Sequence, residues 1–268
     1  MEVEIKKLAY QSVRGYCFIP EESRRGVVIT LGTAEGDCLF EQAYQIAKKG
    51  YRVLAVYYFG KETLRPKLAH VPLEFFSHVI QFTEQFAASY PLTIVGASRG
   101  AELALLLANH FPAVSNLVLV APTAYIYPGE EYRPAWTLHG KDLPTIHFTW
   151  RMKLKERFGQ SNLLREMFDY EFSINRQVPE ARIDTSTFKG NLLLFAGKED
   201  TFWPSAQMGT LLADNAIRAK SVALHVFEDA GHLFSNERLQ GGTHDGNLYA
   251  TYSMNEIIEA KLAKWHTY

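Results

Sequence analysis

The sequence predicts an α/β protein, an eight-stranded and mostly parallel sheet with helices on both faces. Two observations carry this. Short runs such as Val27-Val28-Ile29-Thr30-Leu31 and Leu117-Val118-Leu119-Val120 are apolar on both faces, as in parallel strands that helices cover from both sides. Segments with apolar residues at helical spacing fill the gaps between these runs. Strands alternating with helices make a doubly wound sheet the default arrangement.

The elements follow in order. Val3 to Leu8 alternates, and Arg14 to Ile19 stops at Pro20, so the first two strands are expected as an antiparallel pair. Six more strands are expected at Val27–Leu31, Arg52–Tyr57, Leu92–Val95, Leu117–Val120, Leu192–Phe195 and Val222–Phe227. Cys38 to Lys49 reads as a helix stopped by Gly50. Leu73 to Ala88 places Phe75, Phe76, Val79, Phe82 and Phe86 at helical spacing. Further helices are expected over Ala101–His110, Ala206–Ala219 and Met254–Trp265.

One stretch interrupts the rhythm. About seventy residues separate the strand ending near Ala121 from the one starting near Leu192, far more than an ordinary connection. The stretch holds Tyr125, Tyr127, Tyr132, Trp136 and Trp150, and residues 151–168 read as an amphipathic helix. An insertion at the carboxyl edge of a sheet overhangs whatever site lies there. The expected organisation is a single domain over residues 1–268 with a cap insertion at 124–183.

Bulk properties exclude several classes. The formal net charge of −1 gives no electrostatic reason to expect nucleic acid or an anionic membrane as a partner. The charged, alternating start Met1-Glu2-Val3-Glu4-Ile5 is not a signal peptide, and no apolar run is long enough to span a bilayer. Cys17 and Cys38 offer neither a disulfide framework nor metal spacing and suit a cytoplasmic chain. No H-x-x-x-H or C-x-x-C pair points to a metal, and no cofactor is expected.

The chemistry concentrates in Gly96-Ala97-Ser98-Arg99-Gly100, a G-x-S-x-G pentapeptide. A strand runs into it and a helix runs out, the setting in which this turn exposes a serine Oγ as a nucleophile at a helix N-terminus. The N–H of Arg99 then forms half of an oxyanion hole, and its side chain can pair with Glu102 one helical turn on. The other half is expected from the loop Gly32-Thr33-Ala34-Glu35-Gly36-Asp37, with Thr33 or Ala34 as donor.

Acid and base should follow in chain order. Glu199 and Asp200 lie just after the seventh strand. Asp200 is preferred, its shorter side chain being held more rigidly. Of nine histidines, only His232 sits behind a glycine just after the eighth strand, with His244 as runner-up. A base there can take the proton of Ser98 and return it to the leaving group.

The match extends beyond these three residues. Phe40-Glu41-Gln42-Ala43, Gly50 to Gly60, Val71-Pro72-Leu73-Glu74-Phe75-Phe76, Gly96 to Leu105, Gly197 to Ser205 and Ala230-Gly231-His232 resemble the catalytic domain of the acyl-CoA thioesterase and bile-acid-CoA:amino-acid N-acyltransferase family, over roughly residues 25–265. The resemblance implies the α/β-hydrolase fold and a Ser98-Asp200-His232 triad. Members that transfer the acyl group to an amine use a cysteine nucleophile, so Ser98 implies water as acceptor. Two-domain members also carry an N-terminal β-sandwich, which is not expected here, and their Gly-rich oxyanion loop differs from Gly32 to Cys38.

The expected function is therefore a serine hydrolase that cleaves a small-molecule acyl thioester or ester through an acyl-enzyme. One alternative is a carboxylesterase acting on oxygen esters. Another is a non-catalytic scaffold of the same fold that binds a ligand. Lys61, Arg65 and Lys67 follow the fourth strand and could meet a phosphorylated leaving group, or form an ordinary solvated loop. The sequence leaves the oligomeric state open.

Overall fold

The computed structural model describes residues 1–86, 89–147, 165, 169, 179–237 and 239–267. Eight strands form the main sheet: β1 (Val3–Tyr10), β2 (Val13–Pro20), β3 (Val27–Leu31), β4 (Arg52–Tyr57), β5 (Leu92–Ala97), β6 (Val114–Val120), β7 (Asn191–Gly197) and β8 (Ser221–Phe227). Their order across the sheet is β1-β2-β4-β3-β5-β6-β7-β8. β1 and β2 form an antiparallel hairpin, β2 joins β4 antiparallel, and every pairing from β4 to β8 is parallel. This is the α/β-hydrolase fold.

Strand alternation builds two cores. In β7, Leu192 and Leu194 point to one face while Leu193 and Phe195 point to the other. The first face is covered by α2 (Phe75–Thr83), α3 (Arg99–His110) and α4 (Ser205–Asn215), through Phe76, Leu103, Leu107 and Met208. The second is covered by α1 (Phe40–Ala47) and α5 (His244–Trp265), through Ala43, Ile46, Met254 and Ile258. Two-sided cover explains why every residue of β3 and β5 is buried. β8, at the sheet edge, is exposed or half-buried throughout.

Several helix bounds differ from expectation: α1 is two residues shorter at each end, α2 ends at Thr83 and α4 at Asn215, and the starts of α3 and α5 move as well. α3 starts at Arg99 rather than Ala101, because its first turn closes directly on Ser98: the N–H groups of Ala101 and Glu102 donate to the Ser98 carbonyl at 3.0 and 3.2 Å. α5 begins at His244, ten residues before the expected Met254. Thr243 Oγ1 caps it by accepting from the Gly246 N–H at 3.0 Å. The turn-forming composition of Gly241 to Asn247 hides this start from a periodicity argument.

The insertion is closed at its base. The N–H of Ile126 donates to the Ala181 carbonyl at 2.8 Å, and that of Ile183 to the Ala124 carbonyl at 2.9 Å. Beyond this base, Trp136–Leu138 lies in a small sheet between Val71–Pro72 and Lys141–Asp142, which the sequence did not suggest. The expected helix over residues 151–168 and Trp150 fall outside the described residues, Arg165 excepted. Among the described residues no helix is long and apolar enough to cross a membrane.

Candidate active site

The end of β5 turns abruptly into α3, and Ser98 occupies the turn with φ 54° and ψ −115°. Positive φ in a residue with a side chain is a strained conformation that its surroundings must enforce. Here the Ser98 N–H donates to the carbonyl of Val120, at the end of the neighbouring β6, at 2.9 Å. The flanking glycines allow the close approach. A Cβ on Gly96 would sit 2.3 Å from the Gly100 carbonyl oxygen, and one on Gly100 2.2 Å from that of Leu31. Neither position has room for a methyl group.

Two loops at the same edge bring the other expected residues to Ser98. His232 Nε2 lies 3.1 Å from Ser98 Oγ, and His232 Nδ1 lies 2.8 Å from Asp200 Oδ2. All three residues are buried. The second oxygen of Asp200 accepts from the N–H groups of Phe202 and Trp203 at 2.8 and 3.1 Å. These bonds leave the carboxylate one orientation, toward the imidazole. The ring of His232 is flanked by Phe202 at 4.8 Å and by Trp203, edge-on, at 5.1 Å. Glu199 points into solvent, and His244 is exposed at the start of α5 beside Asp245.

Asn247 holds the histidine turn and escaped sequence reasoning. It is fully buried on α5, and its Oδ1 accepts from the Gly231 N–H at 2.8 Å. The N–H of His232 donates to the Gln240 carbonyl at 2.9 Å. The position of His232 is therefore set partly by the first turn of a helix that the sequence placed later.

Around the loop after β3, Tyr58 shares its single hydroxyl proton between the carbonyls of Thr33, at 2.7 Å, and Gly32, at 3.0 Å. Asp37 ties the loop together, accepting from the Thr33 N–H at 2.9 Å and the Leu39 N–H at 3.0 Å. The Thr33 N–H is thus engaged, whereas that of Ala34 has no bond among the described residues. The N–H of Arg99 is the first of α3, ahead of the Ala101 and Glu102 amides that bond the Ser98 carbonyl.

A buried ion pair sits one turn into α3. Arg99 Nη1 bonds Glu102 Oε2 at 2.9 Å, and Arg99 Nη2 donates to the Tyr127 carbonyl at 2.9 Å. Glu102, fully buried, also accepts from Trp136 Nε1 at 2.6 Å and from the Tyr127 N–H at 3.3 Å. Burial raises the Glu102 carboxyl to about 7, against the opposing pull of Arg99 and of these hydrogen bonds. The Tyr127 ring stacks on Trp203 at 5.7 Å. The root of the insertion is in this way bonded to the helix behind Ser98 and packed on the tryptophan beside His232. Arg165, from the middle of the insertion, donates to the Asp200 carbonyl at 2.5 Å. Cys17 and Cys38 are separate buried thiols and take no part.

Comparison with known proteins agrees with this architecture. The family model described as BAAT / acyl-CoA thioester hydrolase C terminal matches residues 71–236, a segment that contains Ser98, Asp200 and His232. Human acyl-coenzyme A thioesterase 6 is 30% identical over 112 residues, 40% of this chain and 26% of that protein. Human mitochondrial acyl-coenzyme A thioesterase 2 is 28% identical over 144 residues, 50% of this chain and 27% of that protein. The chain thus spans about a quarter of the length of these relatives. Among solved structures, an esterase of Pyrococcus furiosus superposes with a TM-score of 0.64 at 14% identity, covering 99% of this chain and 91% of the other. A putative dienelactone hydrolase from Klebsiella pneumoniae gives 0.62 at 13% identity, covering 99% of both. The family match covers more than half of the chain, and the fold agrees with it: the chain belongs to the BAAT / acyl-CoA thioester hydrolase C-terminal family.

Proposed function

We propose that the protein hydrolyses acyl thioesters, with Ser98 as nucleophile, His232 as general base and then acid, and Asp200 as the carboxylate that orients the base. The observation that carries this is the line from Asp200 Oδ2 to His232 Nδ1 at 2.8 Å and from His232 Nε2 to Ser98 Oγ at 3.1 Å. Asp200 keeps the proton on Nδ1, which leaves Nε2 free to accept from Ser98. Ser98 Oγ attacks the acyl carbon while its proton passes to His232. The thiolate leaves with that proton, and a water activated by the same imidazole releases the acid.

The charge that develops on the carbonyl oxygen needs donors fixed in advance. The Arg99 N–H supplies one. For the second, the engagement of Thr33 by Asp37 supports Ala34, and Thr33 can serve only after leaving that carboxylate. The insertion over residues 124–183 acts as a cap. The bond from Arg165 to Asp200 and the stack of Tyr127 on Trp203 support this role. No cofactor enters any step.

The thioester is favoured over the oxygen ester by the names of the matched relatives, which are acyl-coenzyme A thioesterases. Lys67 adds little to that preference, since it is already paired with Glu131 and lies 3.9 Å from Glu130. The test is kcat/KM for a series of acyl-CoA substrates against p-nitrophenyl esters of the same acids. The proposal expects the thioester to be preferred at the best chain length. Consistent preference for the oxygen ester would make the protein a carboxylesterase, and turnover of neither would favour a ligand-binding scaffold.

A further inference from the structure

The amino edge of the sheet, opposite the candidate active site, holds a cleft of about 610 Å³. Four lysines line it: Lys189 before β7, Lys220 before β8, and Lys261 and Lys264 in the last two turns of α5. Among the described residues no carboxylate side chain lines it, and none of the four ammonium groups pairs with an acid. The chain as a whole carries a net charge of −1, so this concentration of cations is local.

The neutral explanation is that lysines offset the negative ends of helices. α3, α4 and α5 all end near this edge, and each carries about half a negative charge, roughly 1.5 in total against four full positive charges. Lys189 and Lys220, moreover, lie on loops and not in a helical last turn. A substantial positive excess remains.

The floor of the cleft is polar. Asn191 Nδ2 donates to Asn116 Oδ1 at 2.7 Å, Ser221 Oγ donates to Asn191 Oδ1 at 2.7 Å, and Asn116 Nδ2 donates to Thr93 Oγ1 at 2.9 Å. The Nδ2 of Asn191 carries two protons, and among the described residues only one of them has an acceptor. Asn191 is 8% exposed, so the second N–H is a nearly buried donor at the cleft floor. Trp265, half-buried, forms part of the wall. Several point charges, a fixed neutral donor and the absence of carboxylates suit an anion with charge spread over several oxygens.

We propose that this cleft binds a polyphosphate anion, either free or carried by a nucleotide whose base packs on Trp265. β6 runs the height of the sheet in seven residues, so the cleft lies roughly 20 Å from the nucleophile elbow and is independent of the hydrolytic proposal.

Isothermal titration of the full chain at low ionic strength, with ATP and separately with pyrophosphate, tests this. Two charge-removing variants accompany it, Lys189→Ala with Lys220→Ala and Lys261→Ala with Lys264→Ala. Their unfolding midpoints without ligand verify the fold. The expected result is saturable one-site binding that weakens about tenfold or more in each double variant and falls as salt is added. Tighter binding of ATP than of pyrophosphate, lost on Trp265→Leu, identifies a nucleotide. Equal affinities identify the inorganic anion. The proposal is overturned if neither probe saturates below about 1 mM, or if both double variants bind as tightly as the parent.

Discussion

The two edges of the sheet both bury polar side chains, and they do so in opposite ways. At the amino edge, Ser221, Asn191, Asn116, Thr93 and His266 form a chain of neutral groups. His266 Nδ1 donates to the Arg25 carbonyl at 2.9 Å, so Nε2 accepts from Thr93, and burial lowers this imidazole to about 4, which keeps it uncharged. None of Ser221, Asn191, Asn116 and Thr93 has a positive φ. At the carboxyl edge, the buried groups include Asp200, His232, Glu102 and Arg99, all ionisable, and the serine beside them is held at φ 54°. The neutral groups are bonded to one another along the chain, the second N–H of Asn191 excepted, and such bonds stabilise the fold. Ionisable groups and backbone strain carry a desolvation and conformational penalty that packing alone does not explain, and such penalties gather at functional sites.

Substitutions at the two edges should therefore separate activity from stability. Apart from loss of Ser98 itself, the largest effect is expected for Asp200→Asn. The amide can leave His232 in the wrong tautomer, and kcat should fall by about 10⁴ with the fold retained, while Glu199→Gln stays near the parent. Steady-state kinetics on both variants decides; a dead Glu199→Gln beside an active Asp200→Asn would move the acid by one residue. Next comes Asn247→Ala, which removes the acceptor of the Gly231 N–H and loosens the turn that carries His232. Activity should drop by about tenfold to a hundredfold, mostly in kcat, because a small displacement of a catalytic group is enough.

At the amino edge the signs reverse. Asn116→Ala should cost about 1–3 kcal/mol in urea unfolding by orphaning its buried partners, and leave kcat unchanged. Lost turnover without lost stability would break the contrast between the edges.

The smallest effect concerns pH. Burial raises the Glu102 carboxyl from the ordinary 4.5 to about 7 in the folded chain. Between those values the native state binds more protons than the unfolded one, so this group's contribution to stability falls as pH rises. Relative to Glu102→Gln, the parent should lose stability through that window, by at most about 1.4 kcal/mol per pH unit. Denaturant midpoints of both proteins from pH 4 to 8 measure it, and parallel curves would mean that Arg99 keeps the carboxylate ionised throughout.

Much of this contrast is legible in the sequence, and the reasons differ by region. The strands are legible because two-sided burial leaves an apolar signature that local turns cannot mask. Ser98, Asp200 and His232 stand out because each follows a strand, and the structure places His232 within bonding distance of both Ser98 and Asp200. The i, i+3 spacing of Arg99 and Glu102 announces their pairing. Their partners Tyr127 and Trp136 are not announced, since they come from an irregular insertion that has no periodicity. Asn247 is hidden for a related reason: it lies in a Gly- and Asp-rich stretch that reads as a loop but is helical because Thr243 caps it and the buried amide is bonded.

The central claim is that Ser98 is the nucleophile. The most direct measurement is labelling of the whole chain with a fluorophosphonate, followed by peptide mass spectrometry and residual acyl-thioester hydrolysis on the same sample. The account predicts one adduct, on Ser98, formed in proportion to the activity lost, and neither labelling nor turnover in a folded Ser98→Ala variant. Undiminished hydrolysis by that variant, or inhibition with the adduct on another residue, would contradict it.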